Sequence, residues 1–146
     1  MKRWFLLLLF VCATAIVHAQ IRKIPAEVTD AFAARYPHAE KVSWRDKISF
    51  FEAQFILNGF EMSAGFNSKG DWQRTERKIK FSDLPNDVED GFLKSKYAGW
   101  EKGSVVEIDE DAEPITYRIL VKKNDIKKKY LFFTTSGKLS REALTL

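Results

Sequence analysis

The most constraining feature of the sequence is an internal repeat with a spacing of about sixty residues. The positions that define it are Ile24, Pro25, Val28, Asp30 and Phe32, which recur as Leu84, Pro85, Val88, Asp90 and Phe92. A tyrosine follows each segment, at Tyr36 and Tyr97. Each copy later has an aromatic residue, a polar turn and a glycine, at residues 66–70 and 133–137. Such a repeat indicates two similar supersecondary units that share one fold.

Each copy is expected to begin with a helix and to continue into antiparallel strands. Pro25 suits the first helical turn, where its missing N–H costs nothing, and Val28 and Phe32 follow at helical spacing. Asn58 and Gly59, between two alternating apolar stretches, are typical of a two-residue β-hairpin turn. We therefore predict an α+β fold in which two tandem α-β-β-β repeats form one antiparallel sheet with both helices on one face.

The second copy leaves two strand registers open around residues 124–125. A two-residue turn and a three-residue loop place the following strand on opposite faces, because one residue of slip moves every side chain to the other face. The longer loop keeps Phe133, the counterpart of Phe66, on the core face. We prefer that register, which turns Tyr130 and Phe132 away from the core.

Residues 1–19 have the features of a secretory signal peptide, with a basic start, an apolar stretch and a small-residue cleavage site. We expect cleavage before Gln20 and a periplasmic or secreted protein. A single-span anchor and a lipoprotein attached at Cys12 are the alternatives, and the apolar stretch is short for a span. The remaining chain is divided into a first repeat at 20–80 and a second at 81–146, with no stable membrane anchor.

The composition after cleavage excludes several kinds of site. Cleavage removes the only cysteine and one of the two histidines. The processed chain therefore has no thiol and a single imidazole, that of His38. It also removes Lys2 and Arg3, so the formal charge falls from +4 to +2 and nucleic acid is not an implied partner. Serine or cysteine nucleophile motifs are absent as well. We predict no catalytic residue, no metal site and no cofactor.

An acidic run lies in the second copy, at Glu107, Asp109, Glu110, Asp111 and Glu113. Clustered carboxylates can bind Ca²⁺, but the run lacks the glycine and the ligand spacing of an EF-hand loop. We interpret it as a solvated loop between strands.

A basic run follows at Lys122, Lys123, Lys127, Lys128 and Lys129, on both sides of a predicted turn. Such a run can contact an anionic polymer or membrane headgroups. The other interpretation is a charged hairpin tip that prevents edge-to-edge aggregation.

The aromatic content suggests a binding surface. Twelve Phe, four Trp and four Tyr exceed the needs of a small core. In the preferred registers, the apolar residues on the strand face away from the core are Phe50, Ile56, Leu120, Tyr130 and Phe132. Exposed apolar surface usually marks an interaction site. The alternative is that the other half of the chain or a second copy covers these residues.

These motifs resemble the β-lactamase-inhibitor-like, PepSY-like family of exported bacterial proteins. The resemblance covers roughly residues 24–143 and rests on the Pro-x-x-Val-x-Asp-x-Phe helix, the Trp44 strand and the aromatic-to-glycine turns. It implies tandem α/β units, a curved sheet platform and protein binding through that platform. We therefore expect a non-catalytic module that binds a protein or peptide, with a small molecule or an anionic envelope polymer as the alternative ligand.

Overall fold

The computed structural model of the protein describes residues 23–145. The predicted signal peptide and its cleavage site before Gln20 lie outside the described residues. The elements in chain order are α1 (Ala26–Arg35), β1 (Glu40–Asp46), β2 (Phe51–Leu57), β3 (Phe60–Phe66), β4 (Trp72–Ile79), a 3-10 helix (Phe81–Asp83), α2 (Asn86–Leu93), β5 (Glu101–Glu110), β6 (Thr116–Lys122), β7 (Lys128–Thr134) and β8 (Leu139–Leu144). No helix in this part of the chain has the length and apolar character needed to cross a membrane.

All eight strands form one antiparallel sheet in which each strand pairs with its neighbours in sequence. The predicted α+β class is therefore confirmed. The predicted α-β-β-β unit is wrong by one strand, because each half contains a helix and four strands. The expected Trp44 strand of the first half is β1, an edge strand with mostly exposed side chains. β1 is held by backbone pairing to β2 and buries few side chains, so apolar alternation marks it only weakly.

Both helices lie on the same face of the sheet. Directly paired residues of an antiparallel sheet share a face, and one such row runs from β3 to β7 through Met62, Arg77, Glu107, Tyr117 and Phe133. Met62 packs against the core beneath α1, whereas Tyr117 and Phe133 belong to the core beneath α2. The prediction that both helices cover one face is therefore confirmed.

Each helix buries two side chains at helical spacing. In α1 these are Val28 and Phe32, and the Phe32 ring meets Phe55 edge-on with centroids 5.1 Å apart. In α2 they are Val88 and Phe92, both with no exposed surface. Full burial of such a side chain stabilises the folded state by roughly 1.5–3 kcal/mol, so these contacts hold the helices on the sheet.

The helices begin as predicted, because α1 follows Pro25 and α2 follows Pro85 without interruption. Gly99 would be a natural end for the second helix in the sequence, but α2 is shorter. The helix ends at Leu93, and a tighter turn follows in which the Ser95 N–H donates to the Phe92 carbonyl at 3.0 Å.

The structure confirms the predicted registers of the β2–β3 and β6–β7 hairpins, which determine the face on which each side chain lies. Asn58 and Gly59 both have positive φ and connect β2 to β3. This is the backbone geometry of a type I′ turn. Between β6 and β7, Tyr117 pairs with Phe133, so Tyr130 points to the other face as predicted. The connecting loop is longer than the predicted three residues and spans 123–127.

Candidate binding face

The sheet face opposite the helices, here called the open face, carries no helix among residues 23–145. One row of side chains crosses it from β2 to β8, namely Ile56, Glu61, Lys78, Val106, Arg118, Phe132 and Arg141; neighbours in the row are directly paired, except Glu61 and Lys78, which form an ion pair. Apolar and charged side chains therefore alternate across the face. Ile56 and Phe132 stand in this row five strands apart, or about 24 Å at the usual strand spacing.

An ion pair covers the middle of the open face. The Arg118 guanidinium donates to both carboxylate oxygens of Glu76, at 2.7 and 3.3 Å. Arg118 lies on β6 and Glu76 on β4, so the pair crosses over β5 between them. Val106 and Ile108 of β5 share this face, and their exposed fractions are only 8% and 5%. The ion pair therefore closes over two aliphatic side chains that a bare sheet would expose.

Three of the predicted binding residues form one cluster at the C-terminal side of the open face. Leu120 is paired directly with Tyr130, and Phe132 lies two residues along the same strand. The Arg118 guanidinium lies 5.3 Å from the Tyr130 ring centre, and the Arg141 guanidinium lies 3.7 Å from that of Phe132. The cluster is half-exposed and consists of rings held under guanidinium groups.

The other two predicted residues, Phe50 and Ile56, are separate from this cluster and from each other. They lie near opposite ends of β2, about 20 Å apart along the strand. Phe50 packs over Gly65, where an added Cβ would lie 3.2 Å from the ring, and Arg74 covers it at 5.3 Å. Leu120 packs against Gly103 in a similar way, at 2.9 Å from an added Cβ.

A shallow depression of about 410 Å³ lies on the N-terminal side of the open face. Side chains from β1 to β5 form it, among them Ser43, Gln54, Ile56, Ser63, Glu76 and Val106. Lys41, Glu61 and Lys78 add charge of both signs, and the Lys78 ammonium donates to Glu61 at 2.8 Å. The depression connects Ile56 with the central ion pair and provides hydrogen-bonding groups beside apolar ones.

The helix face has a polar seam where the two cores meet. Arg77 donates two hydrogen bonds to Glu107, at 3.1 and 2.9 Å, and Tyr117 donates to the same carboxylate at 3.4 Å. Burial, together with the charge of Glu107, raises the pKa of Tyr117 above its usual range. Thr75, which is buried nearby, hydrogen-bonds with the Tyr36 hydroxyl and accepts from the Trp72 indole. The polar groups of the seam therefore have hydrogen-bond partners within the protein, and these contacts fix its geometry.

The acidic run does not converge on one point. Glu107 faces the helices and pairs with Arg77, whereas Glu110 is directly paired with Arg74 on the open face. Asp111 and Glu113 lie in the following turn. Within residues 23–145, no three His, Cys, Asp or Glu side chains are grouped as a metal site would require. His38 is exposed in the turn after α1.

A charged cluster joins the last strand to the segment after α2. Glu142 accepts hydrogen bonds from the Tyr97 hydroxyl at 2.5 Å and from Lys129 at 2.9 Å, and Lys96 lies 3.1 Å away. These contacts, led by the Tyr97 hydrogen bond, lower the pKa of Glu142 to about 2. The same carboxylate raises the pKa of Lys96 and Lys129. Lys96 is exposed and Tyr97 is buried, and the cluster holds the edge strand β8 against the segment after α2.

Sequence reasoning missed the arginines and Glu76 on the open face. Each acts on a residue that is distant in sequence, as Arg118 does on Glu76. Their contacts depend on the pairing of three or more strands, and no local pattern in the sequence indicates them.

Residues 49–141 match the family described as beta-lactamase-inhibitor-like, PepSY-like, and the chain belongs to that family. The matched segment includes most of the sheet and all of α2 but omits α1, all of β1 and the end of β8. No curated protein matches the sequence.

Several solved structures share the fold. A BLIP-like protein from Bacteroides fragilis NCTC 9343 is 26% identical, with a TM-score of 0.79 over 85% of this chain and 88% of that one. A DUF2874 family protein from Bacteroides ovatus ATCC 8483 is 27% identical, with a TM-score of 0.80 over 84% and 89%. A candidate periplasmic protein from Bacteroides eggerthii DSM 20697 is 22% identical, with a TM-score of 0.80 over 84% and 90%, and shows the fold alone.

Proposed function

We propose that this protein is an exported, non-catalytic binding module that engages a protein or peptide through its open face. The observation that carries the proposal is the arrangement of the sheet, in which both helices occupy one face and leave the other without a covering layer among the described residues. That open face is broad, mixed in polarity and partly apolar, as binding surfaces are.

The proposed contact residues are Phe50, Ile56, Leu120, Tyr130 and Phe132. All five are half-exposed on the open face. Aromatic and arginine side chains dominate the energetics of protein interfaces, and the pairs Arg118–Tyr130 and Arg141–Phe132 present both groups together. Packing on Gly65 and Gly103 restrains Phe50 and Leu120, which lowers the entropy lost when a partner binds.

The relatives support a protein as the partner. The family is described as beta-lactamase-inhibitor-like, and one similar structure is that of a BLIP-like protein. An inhibitor-like protein works by binding and needs no catalytic residue of its own. We extend the binding role to this chain and leave the identity of the partner to experiment.

Export to the periplasm is part of the proposal. It is supported by the basic start, apolar stretch and cleavage site in residues 1–19. A protein of similar fold has been described as a candidate periplasmic protein. The processed chain would begin at Gln20 and carry no stable membrane anchor.

We also infer that residues 20–80 and 81–146 are tandem copies of one unit. Two features support this beyond the sequence repeat. The glycines that end the aromatic-to-glycine turns, Gly70 and Gly137, both have positive φ, at 86° and 77°. The strand pairing is also irregular at matching places, next to Phe66 in the first half and next to Phe133 in the second.

Affinity capture from a periplasmic extract tests the proposed face. The bait is the processed protein, compared with a Tyr130→Asp/Phe132→Asp double variant and with a Leu93→Asp control on the exposed side of α2. We expect wild type and the control to recover the same partner and the double variant to lose it. Equal recovery by all three baits would reject the open face as the binding surface.

A further inference from the structure

The basic hairpin between β6 and β7 has a defined shape. The Lys123 N–H donates to the Lys127 carbonyl at 2.9 Å and closes the loop. Inside the loop, Asn124 Oδ1 accepts hydrogen bonds from the N–H groups of Ile126 and Lys127, at 3.1 and 2.7 Å. One side chain therefore fixes the backbone of the whole tip, which determines where the neighbouring side chains point.

The tip presents an apolar side chain to solvent. Ile126 is 91% exposed although it lies in a well-formed turn, and Leu144 near the end of β8 is 74% exposed. Both line a hollow of about 540 Å³, together with Trp100 and the lysine side chains of the hairpin. Such a position would ordinarily be polar in a hairpin tip, because nothing in the fold gains from an isoleucine there.

The lysines around this tip are largely uncompensated. Lys129 is engaged by Glu142 at 2.9 Å, and Lys122 lies 3.8 Å from Glu101. Lys123, Lys127 and Lys128 make no ion pair with any of the described residues. Three ammonium groups therefore surround an exposed isoleucine, and Asp125 adds one negative charge to the same loop.

We propose that this hairpin docks on an anionic lipid surface, with Ile126 entering the interface and Lys123, Lys127 and Lys128 contacting headgroup phosphates. Lysine stems can lie along apolar surface while their ammonium groups stay among charged headgroups. An acidic peptide or a soluble polyanion would engage the lysines but would give Ile126 no apolar environment. A lipid interface accepts both groups at once, which is the reason for preferring it.

This contact is reversible and adds to the proposed partner binding. A short apolar tip with a few lysines gives weak attachment, since stable anchoring needs a second signal. Docking by the tip of a hairpin also leaves the open face free, because that face runs along the strands and not across their ends. The protein could hold a partner while it rests on a membrane.

Co-sedimentation with vesicles tests the proposal. The probes are vesicles of phosphatidylcholine alone and vesicles in which phosphatidylglycerol replaces part of it. We expect the processed protein to bind only the anionic vesicles, and the Lys123→Glu/Lys127→Glu/Lys128→Glu variant to bind at least about tenfold more weakly. Binding should also weaken with salt, because surface charges are screened. Failure of the wild type to bind anionic vesicles would overturn the proposal.

A matched control distinguishes the effect of these three lysines from the effect of net charge on vesicle binding. The Lys23→Glu/Lys69→Glu/Lys138→Glu variant makes the same change in net charge at exposed lysines elsewhere. It should bind anionic vesicles like the wild type, and an equal loss in both variants would contradict a specific patch. An Ile126→Ser variant should also bind more weakly. Undiminished binding by Ile126→Ser, with soluble polyphosphate bound as tightly as the vesicles, would assign the hairpin to a polymer and overturn the lipid proposal.

A label at the tip reports insertion directly. Cys12 belongs to the predicted signal peptide, so an Ile126→Cys variant of the processed chain has a single thiol for a polarity-sensitive dye. Its emission should shift to the blue on anionic vesicles. The same dye on an Ile48→Cys variant, at a fully exposed turn between β1 and β2, should not shift. No shift at position 126, or equal shifts at both positions, would show that the tip does not insert.

Discussion

Gly137 and Asp87 are in direct backbone contact, so closely that a Cβ on Gly137 would lie 2.0 Å from the Asp87 carbonyl oxygen. The first half has the same relationship, where a Cβ on Gly70 would lie 2.5 Å from the Glu27 carbonyl oxygen. In each half, therefore, the turn before the last strand rests on the first turn of the helix. These two contacts connect the sheet to the helices through backbone alone.

The first prediction concerns these glycines. Gly70→Val and Gly137→Val should each destabilise the protein by roughly 1–3 kcal/mol from backbone strain at positive φ, and the steric clash should add to this. Gly59 is the matched control, because it has a φ of 82° but no atom within 4 Å of an added Cβ. Gly59→Val should therefore cost less than either. Chemical denaturation measures all three, and equal losses would mean that the helix contacts contribute nothing.

The second prediction concerns Gly91 in α2. A Cβ there would lie 1.9 Å from the Gly137 carbonyl oxygen, although the corresponding position in α1 is Ala31. Helix propensity alone predicts that Gly91→Ala stabilises the protein by about 1 kcal/mol. We expect the opposite sign, because the helix would have to move off the turn. Ala31→Gly should lose only about 1 kcal/mol of propensity. A higher melting temperature for Gly91→Ala would contradict the close contact.

Several features of the fold could be predicted because their causes are local. Pro25 and Pro85 fix the helix starts, and the Asn58-Gly59 pair fixes a hairpin, since each acts through its own backbone geometry. The Trp44 strand, β1, could be expected from the sequence, but its bounds at Glu40–Asp46 could not, because an exposed edge strand has only a weak apolar pattern. The end of α2 at Leu93 depends on turn hydrogen bonds that no single residue type indicates.

The third prediction tests the central ion pair of the open face. A double-mutant cycle with Glu76→Gln and Arg118→Met should give a coupling of about 1 kcal/mol, since both side chains are largely buried and bidentate. The pair Glu61–Lys78, with side chains 70% and 57% exposed, is the control and should give a coupling near zero. Equal coupling energies in the two pairs would indicate that the position of the Glu76–Arg118 ion pair over Val106 has no energetic role.

The fourth prediction follows from the lowered pKa of Glu142. A carboxyl whose pKa is lower in the folded state stabilises the fold above its usual pKa of 4.5, and this contribution is lost as pH falls toward about 2. Glu142→Gln should therefore melt below the wild type at neutral pH, and the difference should shrink across that window. Glu113→Gln is the control, with no salt bridge in the described part of the chain, and should show no such trend. A difference that stays constant with pH would contradict the assignment.

The candidate site was predictable only in part. The equivalence of Phe133 and Phe66 selected the register, and alternation along the strand, a local property, then placed Tyr130 and Phe132 on the open face. The sequence could not show that Leu120 lies beside Tyr130 and Phe132 while Phe50 and Ile56 lie elsewhere on the sheet, since that depends on the order of all eight strands. The guanidinium groups over the rings depend on the same long-range pairing.

Site-specific photo-crosslinking tests the binding role of the open face most directly. A photoreactive residue is placed at Phe132 in one variant and at Leu93, exposed on α2, in another. Both proteins are expressed with their signal peptides and irradiated in intact cells. We predict a discrete crosslinked partner from position 132 and none from position 93. The same crosslinks from both positions, or a partner captured only from position 93, would contradict the assignment of the open face as the binding surface.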